Sequence, residues 1–216
     1  MVDIANGQDT FTPASPLAIA DRPVPGTRRQ PDTAGRGFPE SAVASDTASA
    51  VTGRAATAAR YLLAGIRLAL GWVFLWAFLD KLFGLGHSTV SGNAWLSGGS
   101  PTAGFLGKAA TGPFSGFYHS IAGSAVADVL FMAGLFGIGA ALLLGIGVRI
   151  AAAAGALLTV LMWTAVLPPA NNPFMDDHLI YAAVLIVLAL LGAGNTWGFG
   201  RMWGATPLVR RNTWLT

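Results

Sequence analysis

Residues 125–167 read AVADVLFMAGLFGIGAALLLGIGVRIAAAAGALLTVLMWTAVL, and in that whole stretch only Asp128 and Arg149 are charged. Divided at Gly145-Ile146-Gly147, it gives two apolar runs of about 20 residues, the length an α-helix needs to cross a hydrocarbon core ~30 Å thick. Two further runs of this kind flank it, so the expected crossings are 61–84, 124–146, 148–167 and 178–198. In lipid each backbone N–H and C=O has to be satisfied within its own segment, which makes helices the open-ended solution. The fold expected is an all-α membrane protein, a four-transmembrane-helix up-down bundle with a long outer loop and a disordered N-terminal tail.

The chain is 53% hydrophobic and 11% charged, where a soluble domain carries about 25% charged residues. Its sequence pI of 9.8 invites a nucleic-acid reading, which the placement of the charges argues against. The five arginines of residues 1–57 are balanced by six acids. The excess sits in the membrane part, where basic residues mark the cytoplasmic side. Arg54, Arg60 and Arg67 precede or open the first run, Arg149 lies between the second and third, and Arg201, Arg210 and Arg211 follow the fourth. Lys81 and Lys108 alone fall on the opposite side. Both termini are therefore expected in the cytoplasm of a multi-pass plasma-membrane protein. The first run begins too far into the chain, and is too long, for a signal peptide. There is no cysteine, so thiol relays and iron–sulfur ligation by this chain are excluded.

Residues 1–57, rich in Ala, Thr, Ser, Pro and Gly, read as a disordered cytoplasmic tail with too little apolar surface to fold; its short apolar patch, 16–20, lies between prolines. Residues 58–204 form the transmembrane domain and 205–216 a cytoplasmic C-terminal tail. The outer loop, 87–123, carries Trp95, Phe105, Phe114, Phe117 and Tyr118 among many Gly and Ser, which suggests short turns at the interface, one around Trp95-Leu96 and a short helix over 113–121. Small residues recur every fourth position at Ala133, Gly137, Ala141 and Gly145, and again at Ala151, Gly155 and Thr159. Such stripes let membrane helices approach closely, and the two are expected to face each other.

Charges inside or at the rim of a crossing are costly unless paired or wet, so each is a functional candidate. Arg67, Gly71, Phe74, Phe78 and Lys81 fall on one stripe of the first helix. The rival role for Arg67 is snorkelling to headgroups. Asp80, Lys81, Asp128, Asp176, Asp177 and His178 end or begin helices on the outer side, where a bundle brings them to one level. The rival roles are helix capping for Asp176 or Asp177 and an ion pair of Lys81 with Asp128 or Asp177. No spacing among these groups imposes a coordination geometry, so neither a metal nor an iron–sulfur cluster is expected. Walled by Trp72, Phe74, Trp76, Phe78 and Trp163, a rim pocket suits a quinone. Lys81 polarises a carbonyl oxygen in this reading and His178 exchanges the proton; ordinary packing is the other role of the aromatic residues.

The run Arg67-Leu68-Ala69-Leu70-Gly71 with Phe74, Trp76 and Asp80-Lys81-Leu82 resembles the first helix of the DoxX/DoxD family of small integral membrane proteins. Asn172-Pro173-Phe174-Met175-Asp176-Asp177-His178, leading to Gly194-Asn195-Thr196-Trp197-Gly198, resembles the fourth. Trp95-Leu96 with Ser100-Pro101-Thr102 is similar to the DoxD branch. The resemblance covers residues 60–204; where the family's last helix often ends Gly-x-Asp, this chain has Gly198-Phe199-Gly200. It implies a membrane subunit of thiosulfate:quinone oxidoreductase type, acting in quinone-linked redox chemistry with a protein partner or as a homo-oligomer, without nucleic acid. A non-catalytic scaffold or anchor recruiting a soluble redox enzyme is the alternative. A small-solute carrier is disfavoured, since no inverted repeat or helix broken mid-span is visible.

Overall fold

A computed structural model describes the backbone of residues 40–215 and the side chains of residues 52–215. The patch at 16–20 and most of the expected tail lie outside the described residues. Within them the chain is helical, and no strand forms among the described residues. The helices are α1 (Glu40–Phe83), α2 (Ser115–Ile121), α3 (Ala125–Leu144), α4 (Val148–Ala165), α5 (Asp177–Leu190), α6 (Gly200–Gly204) and α7 (Pro207–Arg211). Three stretches are long and apolar enough to cross a membrane: Thr52–Phe83, Ala125–Leu144 and Val148–Ala165. Their outward faces agree with lipid as solvent, since Leu62, Val126, Leu130 and Leu157 are each more than 60% exposed, a surface that water does not favour.

Two boundaries differ from expectation. Helix α1 has 44 residues, about 66 Å at 1.5 Å per residue, and it takes in 40–57, which the sequence reading assigns to the tail. That stretch is alanine-rich and free of proline, so local propensity favours the helix. At the other end of the chain, α5 has 14 residues, about 21 Å, and the expected crossing 178–198 is not one helix. Gly192, at φ +62°, ends it. A 3₁₀ turn at Ala193–Asn195 follows, and the chain then doubles back over the end of α3, where the Phe199 N–H donates to the Leu144 carbonyl at 2.8 Å.

Helix α1 packs along α3, α3 along α4 and α4 along α5, while α5 also touches α1. One core serves all four: Leu70 and Phe74 of α1, Met132, Leu135, Ile138 and Leu142 of α3, Ala151 and Ala152 of α4, Leu185 and Leu188 of α5. The small-residue expectation holds on one side only. Ala151, Gly155 and Thr159 are buried, but Ala133 and Gly137 face outward. The close approach on α3 falls instead at Gly139, where a Cβ would stand 2.7 Å from the backbone nitrogen of Leu75. Gly71 of α1 answers it, its own Cβ position 3.0 Å from the backbone nitrogen of Leu143. Small residues are so frequent on α3 that spacing alone does not distinguish the two faces.

The loop between α1 and α3 is structured. It holds 3₁₀ turns at Ser91–Asn93 and Trp95–Ser97, a π turn at Phe105–Ala109 and α2, matching the expected turn at Trp95 and the short helix over 113–121.

Candidate functional site

Among the described side chains, the acids and the arginines keep to different ends. Every described carboxylate (Asp80, Asp128, Asp176, Asp177) lies at one end, and Arg60, Arg67, Arg149, Arg201, Arg210 and Arg211 lie toward the other.

At the arginine end, Arg67 is fully buried. Its Nη1 donates to the Leu142 carbonyl and, at 3.3 Å, to that of Leu143. Its Nη2 donates to the carbonyls of Thr196 at 3.2 Å and Trp197 at 2.8 Å. The guanidinium thus takes up the last carbonyls of α3, where the helix dipole is negative, and ties them to the strap that follows α5. Space for it is made by Gly145 and Gly198, whose Cβ positions would fall 2.9 and 3.2 Å from its nitrogens. Buried in this way, Arg67 clamps helix ends together.

At the carboxylate end the expected single cluster is three separate fastenings. Asp80, 1% exposed, accepts from the backbone N–H of His87 (3.2 Å) and Ser88 (3.1 Å) and from Ser88 Oγ (2.7 Å), folding the chain back after α1. Lys81 Nζ donates to the same Ser88 hydroxyl at 3.3 Å. Asp128 accepts from Ser100 Oγ (2.9 Å), Thr102 N–H (3.0 Å) and Thr102 Oγ1 (2.6 Å), pinning the loop to α3. Asp176 caps α5 by accepting from the N–H of His178 and Leu179, and its other oxygen stands 2.7 Å from His178 Nδ1. That pair is the one salt bridge among the described residues, so Lys81 is paired with neither Asp128 nor Asp177. Asp177 is exposed. The physical reason is local: Asp80, Asp128 and Asp176 are each engaged by nearby N–H and O–H donors or an imidazole, so no distant ammonium is needed.

The aromatic wall is likewise divided. Phe74 is in the core, and Phe78 packs on Phe136 with ring centroids 5.2 Å apart. Trp72 lies against Trp76, and Trp76 meets the edge of His87, so these join Asp80 and Lys81 in one group. Trp163 stands apart, edge-on to Phe174 and donating from Nε1 to its carbonyl at 2.8 Å.

One apolar hollow is a feature the sequence reading missed. It measures about 530 Å³ and lies between α3 and α4 under the loop, lined by Phe105, Tyr118, Phe131, Gly134, Leu158 and Leu161 among others. Tyr118 roofs it, its hydroxyl donating to the Leu161 carbonyl at 3.0 Å. The available signal was Gly134, which leaves open the face of α3 opposite Leu158, together with large apolar residues in a loop. A second hollow, polar and about 310 Å³, is lined by Val166, Asn171, Asp176, Asp177 and His178. The two lie near each other on α4, where Met162 lines the first and Val166, one turn on, lines the second. An apolar slot of this size takes a hydrocarbon chain or a ring system, and an imidazole oriented by a carboxylate is arranged to move a proton. Comparison with protein-family models, with curated proteins and with solved structures gave no match to this chain.

Proposed function

We propose that the chain is a DoxX/DoxD-like plasma-membrane protein serving quinone-linked redox chemistry beside a protein partner. Four crossings are proposed, the fourth made by α5 and the strap 191–198, with both termini cytoplasmic by the arginine asymmetry. The observation that carries the reading is the apolar slot between α3 and α4, roomy enough for a quinone tail. In this reading the quinone ring lies toward the polar hollow. His178, held by Asp176, exchanges the proton with the ring oxygen. Lys81, tied to Ser88, becomes a loop anchor instead of a catalytic group. The electrons come from the partner, since this chain has no cysteine for a thiol relay or an iron–sulfur cluster.

Quinone titration of the purified protein tests this. Gly134→Leu fills the slot, because a Cβ there lies 3.8 Å from Leu158 and meets no backbone. It is expected to weaken quinone binding about tenfold or more while the fold survives. His178→Ala is expected to keep binding and lose turnover with the partner. Equal binding by wild type and Gly134→Leu would remove the slot from the proposal.

The non-catalytic scaffold reading has its own observation. Asp80 and Asp128 fasten loops and Asp176 caps α5, the pattern of a rigid anchor. If neither purified protein nor membranes overproducing it bind quinone above background, the scaffold reading takes first place.

A further inference from the structure

At the arginine end, the strap after α5 lies between two hollows. One, about 180 Å³, is lined by Gly145, Arg149, Gly194, Asn195 and Arg201. The other, about 390 Å³, is lined by Arg60, Leu63, Leu191, Asn195 and Arg201. Asn195 and Arg201 belong to both, so guanidinium groups from α1, α4 and α6 surround one short loop. Arg149 donates to the Thr213 carbonyl at 3.1 Å. Arg60 and Arg201 make no side-chain hydrogen bond or ion pair among the described residues.

No described carboxylate balances this charge, since all four are at the far end. Beneath the loop, Arg67 adds a buried guanidinium whose neighbour Gly145 lines the smaller hollow. Its Nε is buried with no partner among the described residues. Positive charge packed at the rim of membrane helices, with no described acid beside it, suits an anionic ligand. Guanidinium pairs favour phosphate, which they grip with two parallel N–H···O bonds, and basic hollows between membrane helices are where anionic headgroups bind.

We propose that Arg60, Arg149 and Arg201 form a binding site for the phosphate of an anionic phospholipid in the leaflet at that end. A free phosphate shares the chemistry but not the rest of the site. Leu63 and Leu191 line the same hollow as Arg60, and Leu62 and Leu191 continue outward as exposed apolar surface, where acyl chains lie. Met202 of α6 and Leu208 of α7 are exposed too, as is Trp214 just beyond them, and Trp is a side chain that favours headgroup level.

The test is native mass spectrometry of the full chain released from mixed phosphatidylglycerol and phosphatidylcholine nanodiscs. Wild type is expected to retain phosphatidylglycerol over phosphatidylcholine. Arg60→Gln and Arg201→Gln are each expected to weaken that retention about fivefold, and the double variant about 25-fold. Both side chains are exposed and lack partners among the described residues, so melting in zwitterionic detergent should be unchanged. The two single variants carry the test should the double variant melt early. Lysine at both positions is expected to restore part of the retention, as it keeps the charge but not the two-pronged grip. Equal retention of the two lipids by wild type, or of phosphatidylglycerol by wild type and both single variants, overturns the proposal. So does displacement of the lipid by millimolar inorganic phosphate, which would make this a site for the free ion.

Discussion

Arg67 gathers four carbonyls from two distant parts of the chain and faces no carboxylate among the described residues. Removing it orphans acceptors that cost about 1–3 kcal/mol each when buried without a donor. Against a net stability of roughly 5–15 kcal/mol, that is a large loss. Arg67→Leu is expected to abolish the monodisperse peak in detergent size-exclusion chromatography. Arg67→Lys should recover part of it, because an ammonium replaces the charge but not the planar fork. A full peak from Arg67→Leu would mean the clamp is dispensable. That Arg67, Asp80 and Asp128 matter was legible from charge inside apolar sequence, because burying a charge is always expensive. Their partners were not legible. They are backbone groups and hydroxyls, which every residue or many residues carry, so nothing in the sequence singled them out. Asp176 is the exception: a carboxylate just before an apolar run is a recognisable cap, and it caps α5.

Helices α1 and α3 meet backbone to backbone at Gly71 and Gly139, and this contact decides how the two elements align. Gly139→Leu forces a side chain into the Leu75 backbone, an overpacking worth about 1–3 kcal/mol or more. Gly137→Leu, two residues away, meets nothing within 4 Å and should stay within about 0.5 kcal/mol of wild type. Unfolding of both variants in a mixed-micelle denaturant titration separates them; equal effects would place the contact elsewhere. The existence of α3, α4 and most of α1 was legible because apolarity over about 20 residues has one solution in lipid. The ends were not. Between 40 and 60 the helix rests on alanine propensity, which hydropathy does not register. Beyond Leu190 apolar residues continue past the helix end, so composition hid the break that Gly192 makes.

At the scale of the molecule, the arginines gathered at one end of the crossings predict its orientation. Reporter fusions at Thr216 and near Lys108 are expected on opposite sides of the membrane, with Thr216 cytoplasmic; same-side signals would refute the even number of crossings. Overall polarity was legible because it is a sum over charges. The slot between α3 and α4 was not, because a void is set by which side chains fail to meet across two helices and a loop. The clamp also imposes a schedule. Arg67 leaves the ribosome with the first crossing, while Thr196 and Trp197, which receive Nη2, are synthesised some 130 residues later. Until then half of the guanidinium waits without its acceptors in a membrane that punishes unmatched donors. Closure of the strap therefore reports that synthesis has reached the end of α5. A chain stopped after Leu191 keeps all three long crossings yet cannot close. It should be degraded several-fold faster in a pulse-chase than one stopped after Ala205, which retains the strap and α6. Equal half-lives would show that the cell does not read this signal.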